Sequence, residues 1–273
     1  MSVEGELRNK ISEQETKVDD STEIADVRPD RREQVRVGCA GWSIPRDAAR
    51  YFETEGTHLQ RYAQVLHCCE INTSFYRPHL QTTWERWADS VPADFRFAVK
   101  MPRTITHEAA LNCNPELLTA FVRQTSFLHE KLGALLIQLP PSLEFDLERA
   151  RAFLSQLRDL YDGDIAWEPR HSTWFSELAS ALFREFHIAR VAADPACVPA
   201  AAQPGGTTAF VYFRLHGSPR RYYTAYSEHF LDTLAAQIVS LPPKVRVWCI
   251  FDNTASGAAI QNALQLVAKL KAR

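Results

Sequence analysis

Glu168, Arg170 and His171 close the segment IAWEPRH (165–171), which begins as an apolar run. Burying charge is costly unless the charge is paired or used, so an apolar run with such an ending needs a reason. The pattern recurs. Other apolar runs end in Glu70, Asn72 and Ser74, in Lys100 with Arg103, in Gln138, in Asp194, in Arg214 and His216, and in Asp252 with Asn253. Strand side chains alternate between faces, so Glu70, Asn72 and Ser74 are expected on one face, as are Glu168 with Arg170 and Arg214 with His216.

These residue types support two kinds of chemistry. One is acid–base catalysis, with Glu70, Glu168 or Asp252 as carboxylates, His216 as acid or base, and Lys100 with Arg214 stabilising developing negative charge. The other is anion binding. RLHGSPR (214–220) follows the seventh apolar run, and DNTASGAA (252–259) leads into the last helical pattern. Asn253 or Thr254 is expected to cap that helix, with Ser256 keeping its first turn small and Gly217 allowing close backbone approach. A helix start offers free amides and the positive end of a dipole. Arg214, Arg170 and Lys100 would converge there, and Asn72, Tyr76 and His171 would complete a substrate-binding set. A divalent metal, if used, would fall to Glu168, Asp194 and His216. No HxH or HxxxH pair anchors it and the nearby cations would repel it, so no cofactor is expected. The bland alternative is an internal ion-pair network in which the arginines neutralise Glu70, Glu168 and Asp252.

Something must bring these strand ends together. Apolar runs at 35–42, 68–76, 95–102, 133–141, 165–171, 188–194, 210–217 and 245–253 alternate with segments whose apolar residues recur three and four apart. Eight such units predict a parallel sheet closed as a TIM-type (β/α)8 barrel, whose active sites lie at the C-terminal ends of the strands. An open doubly wound sheet is the competing fold. The stretch PACVPAAAQPGG (195–206) is too rich in proline and glycine for the helix due after strand six. Thr82 and Glu85 are expected to form a capping box.

Composition narrows the partners. Charge is nearly balanced, at −2, which does not suggest a polyelectrolyte or membrane-surface protein. No apolar run approaches the roughly 18 residues of a membrane span. The six cysteines show neither CxxC nor zinc spacing, so a reduced, cytoplasmic protein is expected. Cys39 is expected to be a buried thiol, not a nucleophile. Residues 1–33 carry ten acids, six bases and no aromatic residue, and are expected to be a disordered charged tail ahead of a barrel domain at 34–273. Trp42, Tyr76, Trp174, Tyr222 and Tyr223 are candidates to line the mouth. SPRRYYTAY (218–226) is the one short run that resembles a nucleic-acid surface.

The ordered motifs GCAGW, EINTSFYRPH, FAVKMPRTITHE, LLIQLPPSL, WEPRHSTWF, RLHGSPRRYY and IFDNTASGAA resemble the YecE-like family of domains of unknown function, number seventy-two of that series. The resemblance runs from about residue 35 to the end and implies a TIM-type barrel, with no activity attached. From the residues, the leading expectation is an enzyme with an anion-binding mouth that hydrolyses a phosphoester. The alternatives are a metal-free lyase or isomerase acting on a small anionic metabolite, and a non-catalytic barrel that binds a nucleotide or nucleic acid.

Overall fold

The computed structural model describes residues 34–112 and 114–273, so the expected tail and Cys113 lie outside the described residues. Each predicted strand is present: β1 (Val35–Ala40), β2 (Cys68–Ile71), β3 (Arg96–Lys100), β4 (Leu132–Gln138), β5 (Asp164–Glu168), β6 (Ile188–Arg190), β7 (Ala192–Asp194), β9 (Phe210–Leu215) and β10 (Arg246–Phe251). The sixth strand is split into β6 and β7 at Val191. β6 pairs with β5 and β7 with β9, both parallel, while β10 pairs with β1. The ring therefore closes through the broken strand, as a TIM-type barrel, and an open sheet is excluded. The expected irregular segment is a 3-10 turn (Pro199–Ala202) followed by β8 (Gly205–Gly206), which runs antiparallel to β6.

Two sets of alternating residues build the two layers. One face of the strands packs on the helices α1 (His58–Ala63), α2 (Gln81–Asp89), α3 (Pro115–Thr125), α4 (Leu147–Leu160), α5 (Glu177–Glu185), α6 (Glu228–Ser240) and α7 (Ala258–Lys271) through the main core. The other face fills the barrel, and unevenly. Ala98, Ala134, Ala166 and Ala189 come from β3 to β6, while Phe210, Tyr212 and Trp248 come from β9 and β10. Large rings on one side thus occupy the volume that the alanines leave, with Tyr212 stacked on Trp248 at 6.0 Å. One layer higher the same inward face carries Glu70, Lys100, Gln138, Glu168, Arg214 and Asp252.

Two expected caps form differently. Leu80 is the N-cap of α2, so Thr82 lies inside the helix and its capping box does not form. Glu85 instead accepts a hydrogen bond from Gln81. The reciprocal box belongs to Thr57 and Gln60 at the start of α1. Likewise α7 begins at Ala258 after Gly257, which has a left-handed φ of 81°, so neither Asn253 nor Thr254 caps it. Among the described residues, no helix is long and apolar enough to cross a membrane.

The packing of the rings yields a test. A Cβ on Gly133 would lie 2.5 Å from the Trp248 ring. Gly133→Ala is expected to destabilise the barrel by about 1–3 kcal/mol, as overpacking does. Urea denaturation should show the loss, and Trp248→Leu in the same chain should recover part of it.

Candidate functional site at the barrel mouth

At the centre of the mouth is a buried guanidinium. Arg214 leaves β9 one layer above Tyr212 and crosses the barrel to β2. Its Nε lies 3.1 Å from both oxygens of Glu70, and its Nη2 lies 2.7 Å from Glu70 Oε1. Nη1 donates to Glu168 Oε2 at 3.1 Å, and Nη2 is 3.0 Å from Asp252 Oδ2. Arg214 is 1% exposed and Glu70 is fully buried. Tyr212 adds a hydroxyl donor to Glu70 at 2.8 Å. Burial followed by the charge of Glu70 raises the pKa of this phenol well above its usual range, so it stays a donor.

His216, two residues on, stands between two carboxylates. Nδ1 is 3.0 Å from Asp252 Oδ2, and Nε2 is 3.0 Å from Glu168 Oε1. Arg170 donates to Glu168 Oε1 through Nε at 3.0 Å and Nη2 at 2.7 Å, and its Nη2 reaches His216 Nε2 at 3.2 Å. A neutral imidazole donates only once. Filling both carboxylate contacts takes one further proton, between Nε2 and Glu168. Without that proton, Nε2 accepts from Arg170 instead. The array thus has two satisfied states that differ by a single proton. Burial alone would raise the Glu168 carboxyl, but Arg170, Arg214 and His216 hold it well below the usual carboxylate range. Asp252 is likewise lowered against its burial, by Arg214 and His216.

Lys100 is the exception. It is 8% exposed, yet no carboxylate among the described residues lies within 4 Å of Nζ, which instead sits 4.0 Å from the centre of the Phe75 ring. Burial and then Arg214 lower its pKa to about 8, while Glu70, Glu168 and Asp252 act the other way. Other donors and acceptors on this side are also unspent. Asn72 Oδ1 is buried without a hydrogen bond, Gln138 follows the inward-facing Leu136 in β4, and Arg170 Nη1 has no partner among the described residues.

Several expected site residues do other work. Asp194 accepts from the Tyr226 hydroxyl at 2.9 Å, and its carbonyl accepts from His216 N. Among the described residues no three His, Cys, Asp or Glu side chains are grouped as metal ligands, so Glu168, Asp194 and His216 do not form the set considered for a divalent ion. His171 accepts from Thr173 N at the head of a short 3-10 turn. Tyr76 is an exposed rim residue, edge-on to Phe75. Trp174 is not at the mouth, because it is buried and stacked on Phe183. Tyr222 does overhang the mouth, 5.9 Å from His216.

The loops after β9 and β10 are zipped together. Gly217, at φ 89°, donates to the Tyr226 hydroxyl, and a Cβ there would meet Thr224 O at 2.8 Å. Asn253 donates to Thr224 O and Asn262 Oδ1, both at 3.0 Å, and Ser256 donates to Tyr223 O. Thr254 is exposed. Ala255 N, Gly257 N and Ala259 N are all taken by backbone carbonyls. Three of the amides expected to meet an anion after Asn253 are therefore committed, and the donors of Arg214 are taken by Glu70, Glu168 and Asp252. Among the described residues Cys197 is exposed. Cys39, Cys68, Cys69 and Cys249 are buried free thiols, and burial pushes Cys68 up to about 12.

Phe75 and His107 were not singled out by their sequence context. The only local signal is the histidine in FAVKMPRTITHE, five residues beyond the apolar run at 95–102.

Two outcomes follow. Removing one member of a buried ion network leaves uncompensated charge, so Arg214→Met is expected to cost about 3–5 kcal/mol in urea denaturation. Lys100 sets the second. Its native pKa of about 8 lies below the ordinary 10.5, so the native state binds fewer protons than the unfolded chain between those values. Stability from this group is fully present above pH 10.5 and is lost as pH falls through about 8. Stability curves should show this rise between the two values for the parent, and Lys100→Met should lack it.

Comparison with known proteins fits the barrel. The chain is 31% identical over 144 residues to the UPF0759 protein YecE of Escherichia coli K12, a match covering 52% of this chain and about half (51%) of that protein's length. It is 24% identical over 264 residues to the UPF0759 protein YunF of Bacillus subtilis, covering 85% of this chain and 93% of that one. The crystal structure of a family protein from Thermotoga maritima superposes with a TM-score of 0.74 at 29% identity, over 87% of this chain and 99% of that one. One from Enterococcus faecalis gives 0.74 at 24% identity, over 87% and 95%. With the model described as "Protein of unknown function DUF72" matching residues 36–273, the chain belongs to that family.

Proposed function

We propose that this chain is an enzyme that binds a small anionic metabolite in the barrel mouth and transforms it by acid–base chemistry of its own side chains. One observation carries this reading. Lys100 is buried in the mouth without a counter-ion while the carboxylates around it are paired with arginine, histidine or tyrosine. A buried ammonium with no partner is costly, and such groups cluster where a substrate completes the site. Arg170, with Nη1 uncommitted, supplies a charge-assisted donor for a carboxylate or phosphate oxygen. Glu168 and His216 can store or release one proton beside it, the exchange that an elimination or isomerisation needs.

A phosphate-bearing substrate fits within this reading, although hydrolysis of a phosphoester draws less from the geometry. Ala255, Gly257 and Ala259 have spent their amides on backbone carbonyls and Arg214 has spent its donors, so in this reading a phosphate rests on Lys100 and Arg170. The paired carboxylates would meet a divalent ion only by giving up their arginines.

The test is calorimetric titration of the parent, Arg170→Ala and Lys100→Met with short carboxylates, sugar phosphates and inorganic phosphate, followed by assay for turnover of each binder. Loss of a charge-assisted contact is expected to weaken the best ligand roughly ten- to a hundredfold in Arg170→Ala. Equal binding by Arg170→Ala, or no binding by the parent, would place the site elsewhere. Binding without turnover would make the barrel a sensor.

A further inference from the structure

Directly after β3 the chain makes a single π-turn, Thr104–Glu108. Such turns are uncommon and occur frequently at functional sites. This one sets His107 against Phe75, ring centres 5.0 Å apart and nearly perpendicular. Lys100 Nζ lies 4.0 Å from the centre of the same ring. The same phenyl ring therefore meets both a lysine with no counter-ion and a histidine, and the lysine's charge acts on that histidine. The Thr106 hydroxyl is within reach of Pro102 O and lies 2.9 Å from His107 Nδ1. If the hydroxyl donates to the carbonyl, it can only accept from Nδ1–H, which leaves the lone pair on Nε2. Burial first, then the charges of Lys100, Arg103 and Arg170, favour the neutral ring.

We propose that Lys100 is a covalent amine, forming an imine with the carbonyl carbon of a small anionic aldehyde or 2-oxo acid, with His107 carrying the protons. This rests on the anion-binding reading above and narrows its substrate class. The lone pair of the neutral ε-amine forms the C–N bond as the C=O π bond passes its electrons to oxygen. His107 carries one proton from the nitrogen to the alkoxide, giving a carbinolamine; a second proton, taken from solvent through His107, lets the hydroxyl depart as water while the nitrogen lone pair forms C=N, leaving the iminium. No oxidant or reductant enters the step. The environment suits that outcome over simple proton transfer. The iminium is a softer, less hydrated cation than an ammonium, and it would form against a phenyl face within the field of Glu70, Glu168 and Asp252.

The experiment uses glyoxylate, the smallest carbonyl compound that bears a carboxylate, with sodium borohydride to reduce the imine to a stable secondary amine. At pH 7.5 the neutral fraction of an amine titrating near 8 exceeds that of an ordinary lysine by roughly a hundredfold. Peptide mass mapping is expected to place the first adduct on Lys100, at more than about ten times the rate of Lys269 and Lys271. His107→Gln should slow the adduct while leaving the binding of glycolate, the analogue with no carbonyl, unchanged. Labelling spread evenly over surface lysines, or His107→Gln labelling Lys100 as fast as the parent, would overturn the proposal. Glycolate binding without a Lys100 adduct would overturn the imine and leave the anion site standing, whereas loss of both would remove both.

Discussion

The guanidinium of Arg214 is the contact on which the mouth depends. Three carboxylates from β2, β5 and the end of β10 converge on a region with almost no solvent, and three like charges cannot stay there unaided. Arg214 is suited to hold them because its fork is planar, always charged and able to meet several oxygens in fixed directions. A lysine would offer one point charge where three acceptors wait. The desolvation cost of such a cluster is high, and its Coulombic return depends on close geometry. That requirement passes downward: Arg214 can reach Glu70 only if β9 holds its place against β10, which the stacked Tyr212 and Trp248 secure from below. Tyr212 belongs to both layers, as part of the packed interior and as a donor to Glu70.

The sequence made the eight strands legible because each is an apolar run of strand length, and the inward-facing polar layer followed from alternation beyond those runs. It did not disclose which charges pair. Arg214 and Glu70 are 144 positions apart, and nothing local in RLHGSPR distinguishes an arginine that grips a ligand from one spent on internal carboxylates. Capping depends on context in the same way. Thr82 and Thr57 both precede a glutamate or glutamine by three residues, but Leu80, two residues before Thr82, is the N-cap of α2 and consigns Thr82 to its interior. DNTA holds good capping types, yet the last helix starts later, because Gly257 supplies a left-handed turn before Ala258. His107 was invisible because a π-turn depends on tertiary contacts such as its ring against Phe75, and local spacing carries no mark of it.

The division of the mouth is the last consequence. From Asp252 round to Glu168, the charges satisfy one another. From Asn72 through Lys100 and Gln138 to Arg170, polar atoms of four neighbouring positions around the ring are left over. A mouth built only for stability would pair Lys100 with one of three carboxylates close enough to bias its titration, and the strand register already brings it near them. Instead Arg214 takes all three. The guanidinium that holds the cluster is the same group that leaves Lys100 without a counter-ion and, after burial, depresses its basicity. Arg170 spans the boundary, with two nitrogens on Glu168 and the third uncommitted. An anion that drew Arg170 away would remove donors from Glu168 and from His216 Nε2 together.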